Sequence, residues 1–144
     1  MRKKLFLSII FACLGITAEI IFTGFKYNLF LPILHHEKIN YALTGNSYVW
    51  MIFIYGTIPF LFPFVYTRIK NLHLIFRLVI YALICLAIEY ISGWLLDLTT
   101  GDCPWQYTVG WHLNGYIRID YFPLWIIFGF VVEKSWIYLN KHFL

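Results

Sequence analysis

Three glutamates stand where acids are costly. Glu19 lies in the apolar run ITAEIIFTGF, Glu89 in LICLAIEYISGW and Glu133 in WIIFGFVVEKSW. An acid at the centre of a membrane helix costs about 2.5–3.5 kcal/mol on insertion scales. Each of these glutamates has a glycine four residues away, hence on its own helical face: Gly15, Gly93 and Gly129. A small residue there lets a neighbouring helix come close, so the spacing predicts glutamates that face a bundle interior. Three chemistries fit. The acids act as hydrogen-bonding glue between helices, they hold a cation, proton or polar head group along a transport path, or they serve as general acid and base on a lipid. No serine nucleophile with a histidine partner stands out, which counts against a triad hydrolase.

Counting 1.5 Å per residue places Glu19 roughly 9 Å and Glu89 roughly 10 Å below the outer ends of their runs, and Glu133 roughly 18 Å below its own. Glu19 and Glu89 are therefore expected to meet. Two carboxylates at one level cannot both stay charged cheaply, so a shared proton or a bound cation is expected between them. They are the candidate metal ligands. Glu133 is expected one or two turns deeper, beneath the pair or bonded to Tyr55 or a tryptophan. The link before the last run adds Trp105, Tyr107, Asn114, Arg118 and Asp120, beside Asp97, Asp102, Trp111, His112 and Tyr116. If this link folds over the acids, Arg118 is the nearest counter-charge for Glu19 or Glu89; the alternative is that it pairs with Asp120 or a lipid phosphate. His35-His36-Glu37 has ligand-type residues, but adjacent helical positions do not share a face, and an interfacial turn is the favoured reading.

The elements that must position these groups follow from composition. The 144 residues are 61% hydrophobic and only 12% charged, with a mean hydropathy of +0.73. A soluble domain carries about 25% charged residues. The pattern predicts a single all-α domain, a four-helix transmembrane bundle with spans at about 5–25, 47–66, 72–96 and 121–139. The opening run resembles a secretory signal, but it continues far past the length of a signal core, so a retained helix is expected. The first link, from Lys26 to Asn46, carries enough apolar residues to lie along the interface. The second, short and basic, holds Arg68 and Lys70. Asp97 to Asp120 forms an outer cap whose Trp and Tyr suit the interface and whose Gly101, Pro104, Gly110 and Gly115 impose turns. Ser47 is read as a helix cap, Arg77 as a snorkelling base, and Pro59 and Pro63 as a kink.

The net charge of +4 does not point to nucleic acid, because the bases cluster at the ends of the apolar runs. Arg2, Lys3, Lys4, Arg68, Lys70, Arg77, Lys134 and Lys141 fall on one side if the spans alternate, so both termini are expected in the cytoplasm. The three cysteines form neither a disulfide framework nor a zinc spacing. The expected partners are membrane lipids and, because four helices are few for a transporter, a second copy of the chain.

An ordered set of motifs then carries a resemblance. It comprises Gly15-x-x-x-Glu19-x-x-Phe22-Thr23, Trp50-x-x-Phe53-Ile54-Tyr55-Gly56-Thr57, Glu89-x-x-x-Gly93, Cys103-Pro104-Trp105-x-Tyr107, Asn114-Gly115-x-Ile117 and Tyr121-x-x-x-Trp125-x-x-x-Gly129-x-x-x-Glu133. In these pieces, over nearly its whole length, the chain resembles the four-helix transmembrane protein 229 family of animals and similar bacterial proteins labelled ABC-transporter permeases of the CmpB type. The resemblance implies a permease-like membrane protein. That family commonly has Trp-Asp-Tyr-Ser where this chain has Trp105-Gln106-Tyr107-Thr108, so any role of that acid is absent here or falls to Asp102 or Asp120. The chain has no phosphate-binding loop, so ATP-driven transport would need a separate ATPase or another membrane subunit.

Overall fold

A computed structural model describes residues 2–42 and 44–143. Met1 of the basic start, Leu43 of the first link and Leu144 lie outside the described residues. The chain is all-α in class. Among the described residues four helical segments are long and apolar enough to cross a membrane: Arg2–Leu34, Val49–Ile69, Leu74–Thr100 and Ile119–Phe143. Between 17% and 22% of the most apolar window of each is buried. Apolar surface left open on that scale is what a lipid solvent requires. The chain divides into two compact units, Met1–Phe64 and Val65–Leu144.

In the first unit, α1 (Arg2–Phe25) runs on through a π-helical turn (Lys26–Phe30) into α2 (Leu31–Leu34). The first span is therefore longer than the sequence suggests, and much of the expected interfacial link is helix. Tyr27, Phe30, Ile33 and Leu34 keep their apolar side chains exposed along it. The helix ends at His35-His36, where His36 takes φ 57° and the Glu37 amide bonds back to the Pro32 carbonyl. The second span begins at α3 (Val49–Gly56). No side chain caps α3, because Ser47, read as its cap, is used elsewhere. The contacts Glu19–Ser47, Gly15–Tyr55 and Lys4–Phe60 progress in opposite senses along the chain, so α1 and α3 are antiparallel. The expected kink falls at Thr57, just before Pro59. There the helix restarts as α4 (Ile58–Ile69), which accommodates Pro63 in its interior. The Thr57 hydroxyl donates to the Ile54 carbonyl at 2.7 Å, and the Phe60 and Leu61 amides both bond to the Thr57 carbonyl where the helix restarts.

In the second unit, α5 (Leu74–Thr100) outlasts its expected end. Thr99 and Thr100 bond back to Leu95 and Leu96 carbonyls, and Gly101 stops the helix at φ 81° in the left-handed conformation favoured past a helix end. The cap then forms a small hairpin, β1 (His112–Leu113) with β2 (Ile117–Arg118). Asn114, Gly115 and Tyr116 connect the strands; Asn114 and Gly115 take positive φ, and the Tyr116 amide closes the turn on the Leu113 carbonyl at 3.0 Å. A 3-10 turn (Ile119–Tyr121) leads into α6 (Phe122–Phe143). Contacts from Arg77 to Glu133 and from Tyr81 to Gly129 make α5 and α6 antiparallel.

Candidate functional site

One local device occurs in both units, and it explains why glycine and glutamate stand four residues apart. On α1, a Cβ at Gly15 would sit 2.3 Å from the Tyr55 ring. That ring lies flat on the α1 backbone, and its hydroxyl donates to Glu19 Oε1 at 2.5 Å. On α6, a Cβ at Gly129 would sit 2.7 Å from Tyr81 Cβ, and the Tyr81 hydroxyl donates to Glu133 Oε2 at 2.8 Å. The spacing i, i+4 is about 5–6 Å on a helix face, close to the reach of a tyrosine from ring base to hydroxyl. The glycine admits the ring, and the glutamate receives its hydroxyl.

The two clasps are completed differently. Glu133, 1% exposed, takes the Arg77 guanidinium as a fork, with Nη2 to Oε1 at 2.7 Å and Nε to Oε2 at 3.0 Å. Arg77 Nη1 also donates to the Leu72 carbonyl at 2.8 Å, tying the turn before α5. Glu133 is thus held by Arg77 and Tyr81 of its own unit, and Arg77 does more than snorkel. The sequence-based depth missed this pair because α6 overshoots α5. Arg77 is about 5 Å into its helix, whereas Glu133 is about 15 Å from the end of its own. Arg77 and Glu89 stand about 18 Å apart along α5, so Glu133 is held well away from Glu89.

Among the described residues no cation pairs with Glu19. Its second oxygen accepts from the Ser47 hydroxyl at 2.5 Å. Both donors are neutral hydroxyls. One turn further, the Thr23 hydroxyl lies 2.8 Å from the Glu19 carbonyl, 3.3 Å from that of Ile20 and 3.1 Å from that of Asn46. The Asn46 amide donates to Thr23 Oγ1 at 2.8 Å. Gly45 allows this approach, since a Cβ there would lie 1.9 Å from the Ile20 carbonyl oxygen.

Glu89 is buried on α5 and accepts from the Tyr107 hydroxyl at 2.8 Å. The cap thus reaches down to this acid, as its sequence suggested. It is pinned by two more side chains: Tyr116 donates to Asp97 at 2.6 Å and Asn114 donates to Tyr90 at 2.9 Å. The Asp97 bond, followed by burial, pushes the Tyr116 hydroxyl up to about 12. Trp105 is buried over Gly93, its indole N–H donating to the Tyr116 carbonyl at 3.2 Å. Cys103 lies on the same glycine, and burial pushes its thiol above the usual range.

Arg118 takes the second of its two expected roles. Its Nε and Nη2 grip Asp120, and Nη1 donates to the Tyr121 hydroxyl at 3.0 Å. The guanidinium also lies 4.2 Å from the Tyr121 ring centroid. The Asp120 bond raises its affinity for the proton. Arg118 is no counter-charge for Glu89. Gly110 makes room for it, since a Cβ there would lie 2.5 Å from Nη2. The structure thus brings Glu19 to Tyr55, Glu89 to Tyr107, Trp105 to the Asn114 hairpin through Tyr116, and Arg118 to Asp120. Sequence reasoning missed Tyr81, Thr23 and Asn46 and assigned Ser47 and Arg77 other tasks. The usable signal was Arg77-x-x-x-Tyr81, a donor pair with the same spacing as Gly129-x-x-x-Glu133.

Among the described residues no three His, Cys, Asp or Glu side chains gather as a metal site, and His35, His36 and Glu37 form a helix-ending turn. No family model matches the chain, and no solved structure matches it.

Proposed function

We propose that this small membrane protein is permease-like and that the acids in its outer half, Glu19 and Glu89, hold a cation or polar group in transit. The observation that carries the proposal is the contrast between two otherwise equal clasps. Glu133 is neutralised by Arg77 at 2.7 Å, whereas the partners of Glu19 are the neutral hydroxyls of Ser47 and Tyr55. An ion-paired carboxylate is fixed scaffold; one clasped by hydroxyls keeps a charge to offer. The resemblance to transmembrane protein 229 and CmpB-type permeases supports the same direction. On this proposal Tyr107 sets the cap over Glu89, both termini are cytoplasmic, and the chain works as a homo-oligomer or beside an ATPase subunit.

The test is sodium, potassium and proton flux in proteoliposomes, compared with protein-free vesicles. Glu19→Gln and Glu89→Gln should remain folded and inserted while flux is lost. Wild-type protein that carries no flux, or Gln variants that match it, refutes the proposal. Gln variants that misfold in detergent assign the acids to helix-helix glue instead.

A further inference from the structure

We infer that the outer end of α1 forms a binding site for one alkali cation, made by Glu19, Thr23, Asn46 and Ser47. The inference rests on the proposal above that Glu19 holds an ion, and it names the ion's class.

The balance of donors and acceptors favours a cation. Ser47 and Tyr55 spend their hydroxyl hydrogens on the Glu19 carboxylate. Thr23 has one hydroxyl hydrogen to share among three carbonyl oxygens. Two of these carbonyls, Glu19 and Ile20, already belong to the helix ladder of α1, so the Asn46 carbonyl receives at most a share. Oxygen lone pairs from a carboxylate, hydroxyls and a carbonyl thus outnumber the hydrogens available to them. Glu19 and Thr23 are four residues apart on one face of α1, and Asn46-Ser47 is held against that face by the close approach at Gly45.

The ligand set selects the ion. Every candidate ligand is a hard oxygen, and no thiol or imidazole joins them, which excludes the soft metals. One carboxylate supplies one negative charge. Calcium sites assemble about 6–8 oxygens, with several carboxylates among them, and magnesium keeps most of its waters. A single charge with hydroxyls and a carbonyl suits a monovalent ion. An organic ammonium needs an apolar seat for its carbon tail, and an apolar recess of this unit, lined by Ser8, Ala12, Ile52, Phe53, Gly56, Thr57 and Phe60, does not include Glu19. Asn46 is exposed, giving the ion a way in from water.

The experiment is equilibrium binding to purified protein in lipid nanodiscs, with choline chloride as the background salt and sodium, potassium, calcium or methylammonium chloride as probe. Thermal stability and isothermal titration are read together. Sodium or potassium is expected to bind saturably and raise the melting temperature. Binding should weaken about tenfold or more in Glu19→Gln and about tenfold in Ser47→Ala, each losing a ligand to a charge. Gly45→Ala, which removes no ligand, should weaken it as well by displacing Asn46 and Ser47. If Glu19→Gln does not fold, Ser47→Ala carries the test. Methylammonium or calcium binding that depends on Glu19, with no response to sodium or potassium, overturns the inference while sparing the proposed function. No Glu19-dependent binding of any probe overturns the inference and removes the ion-holding role on which it rests.

Discussion

Replacing Arg77 with methionine tests how the second unit tolerates a carboxylate in its interior. The change keeps most of the side-chain volume but removes the fork to Glu133, whose contacts are 2.7 and 3.0 Å. Glu133, 1% exposed, is then left with the Tyr81 hydroxyl alone. Stranding one partner of a buried pair costs about 3–5 kcal/mol. The reverse change, Glu133→Gln, strands Arg77, which is 16% exposed and keeps the carbonyls of Lys70 and Leu72. It should cost about 1–2 kcal/mol. Tyr81→Phe removes one hydrogen bond, and such bonds average about 0.6 kcal/mol in membrane helices. The charge, not the bond count, therefore dominates. Removing both charges as Arg77→Met with Glu133→Leu should return stability to within about 1 kcal/mol of wild type, since an apolar pair of similar volume replaces a buried ion pair well. Equilibrium unfolding in mixed micelles, followed by tryptophan fluorescence, measures each variant of the cycle. An Arg77→Met protein within about 1 kcal/mol of wild type, or a double variant no better than Arg77→Met, would falsify the reasoning.

Gly15→Ala drives a methyl into the base of the Tyr55 ring, where the gap is 2.3 Å, and should cost about 1–3 kcal/mol by overpacking. Gly101→Ala meets no heavy atom within 4 Å and should cost only the left-handed backbone strain, about 1–2 kcal/mol; the same unfolding assay compares them. Tyr116 is expected to ionise well above the usual tyrosine range in a spectroscopic titration. Its folded value is raised to about 12 from 10.0, so the stability it adds is intact below about pH 10 and fades as pH rises through about 12. Asp97→Asn should move that titration step down, and a step unchanged by the substitution would show that Asp97 is not its cause.

Much of this was legible in the chain. Span number and approximate position followed from runs of apolar residues, because a bilayer core needs helices of a known length. The role of glycine beside each glutamate was half visible. The i, i+4 spacing predicted close approach, but not that a tyrosine would fill the gap at Gly15 and Gly129, and Trp105 with Cys103 at Gly93. Ser47 illustrates the limit. A serine before an apolar run is a good cap signal, and nothing local says that a carboxylate 28 positions earlier will take its hydroxyl. Arg118 had a near partner, Asp120, and a distant one, Glu89. The near one won because two residues along the backbone already set the fork geometry, while Tyr107 reached Glu89 from the cap.

The sequence by itself determined the apolar spans, the helices and the three places where an acid interrupts an apolar run. These are properties of single segments, set by transfer energies and helix periodicity. Only the tertiary structure decided what each acid is bonded to. It paired Glu133 with Arg77 and left Glu19 to hydroxyls, although both glutamates share one spacing and one tyrosine clasp. That difference depends on how far antiparallel helices slide past one another and where a link comes to rest, and both are settled by packing between segments distant in sequence.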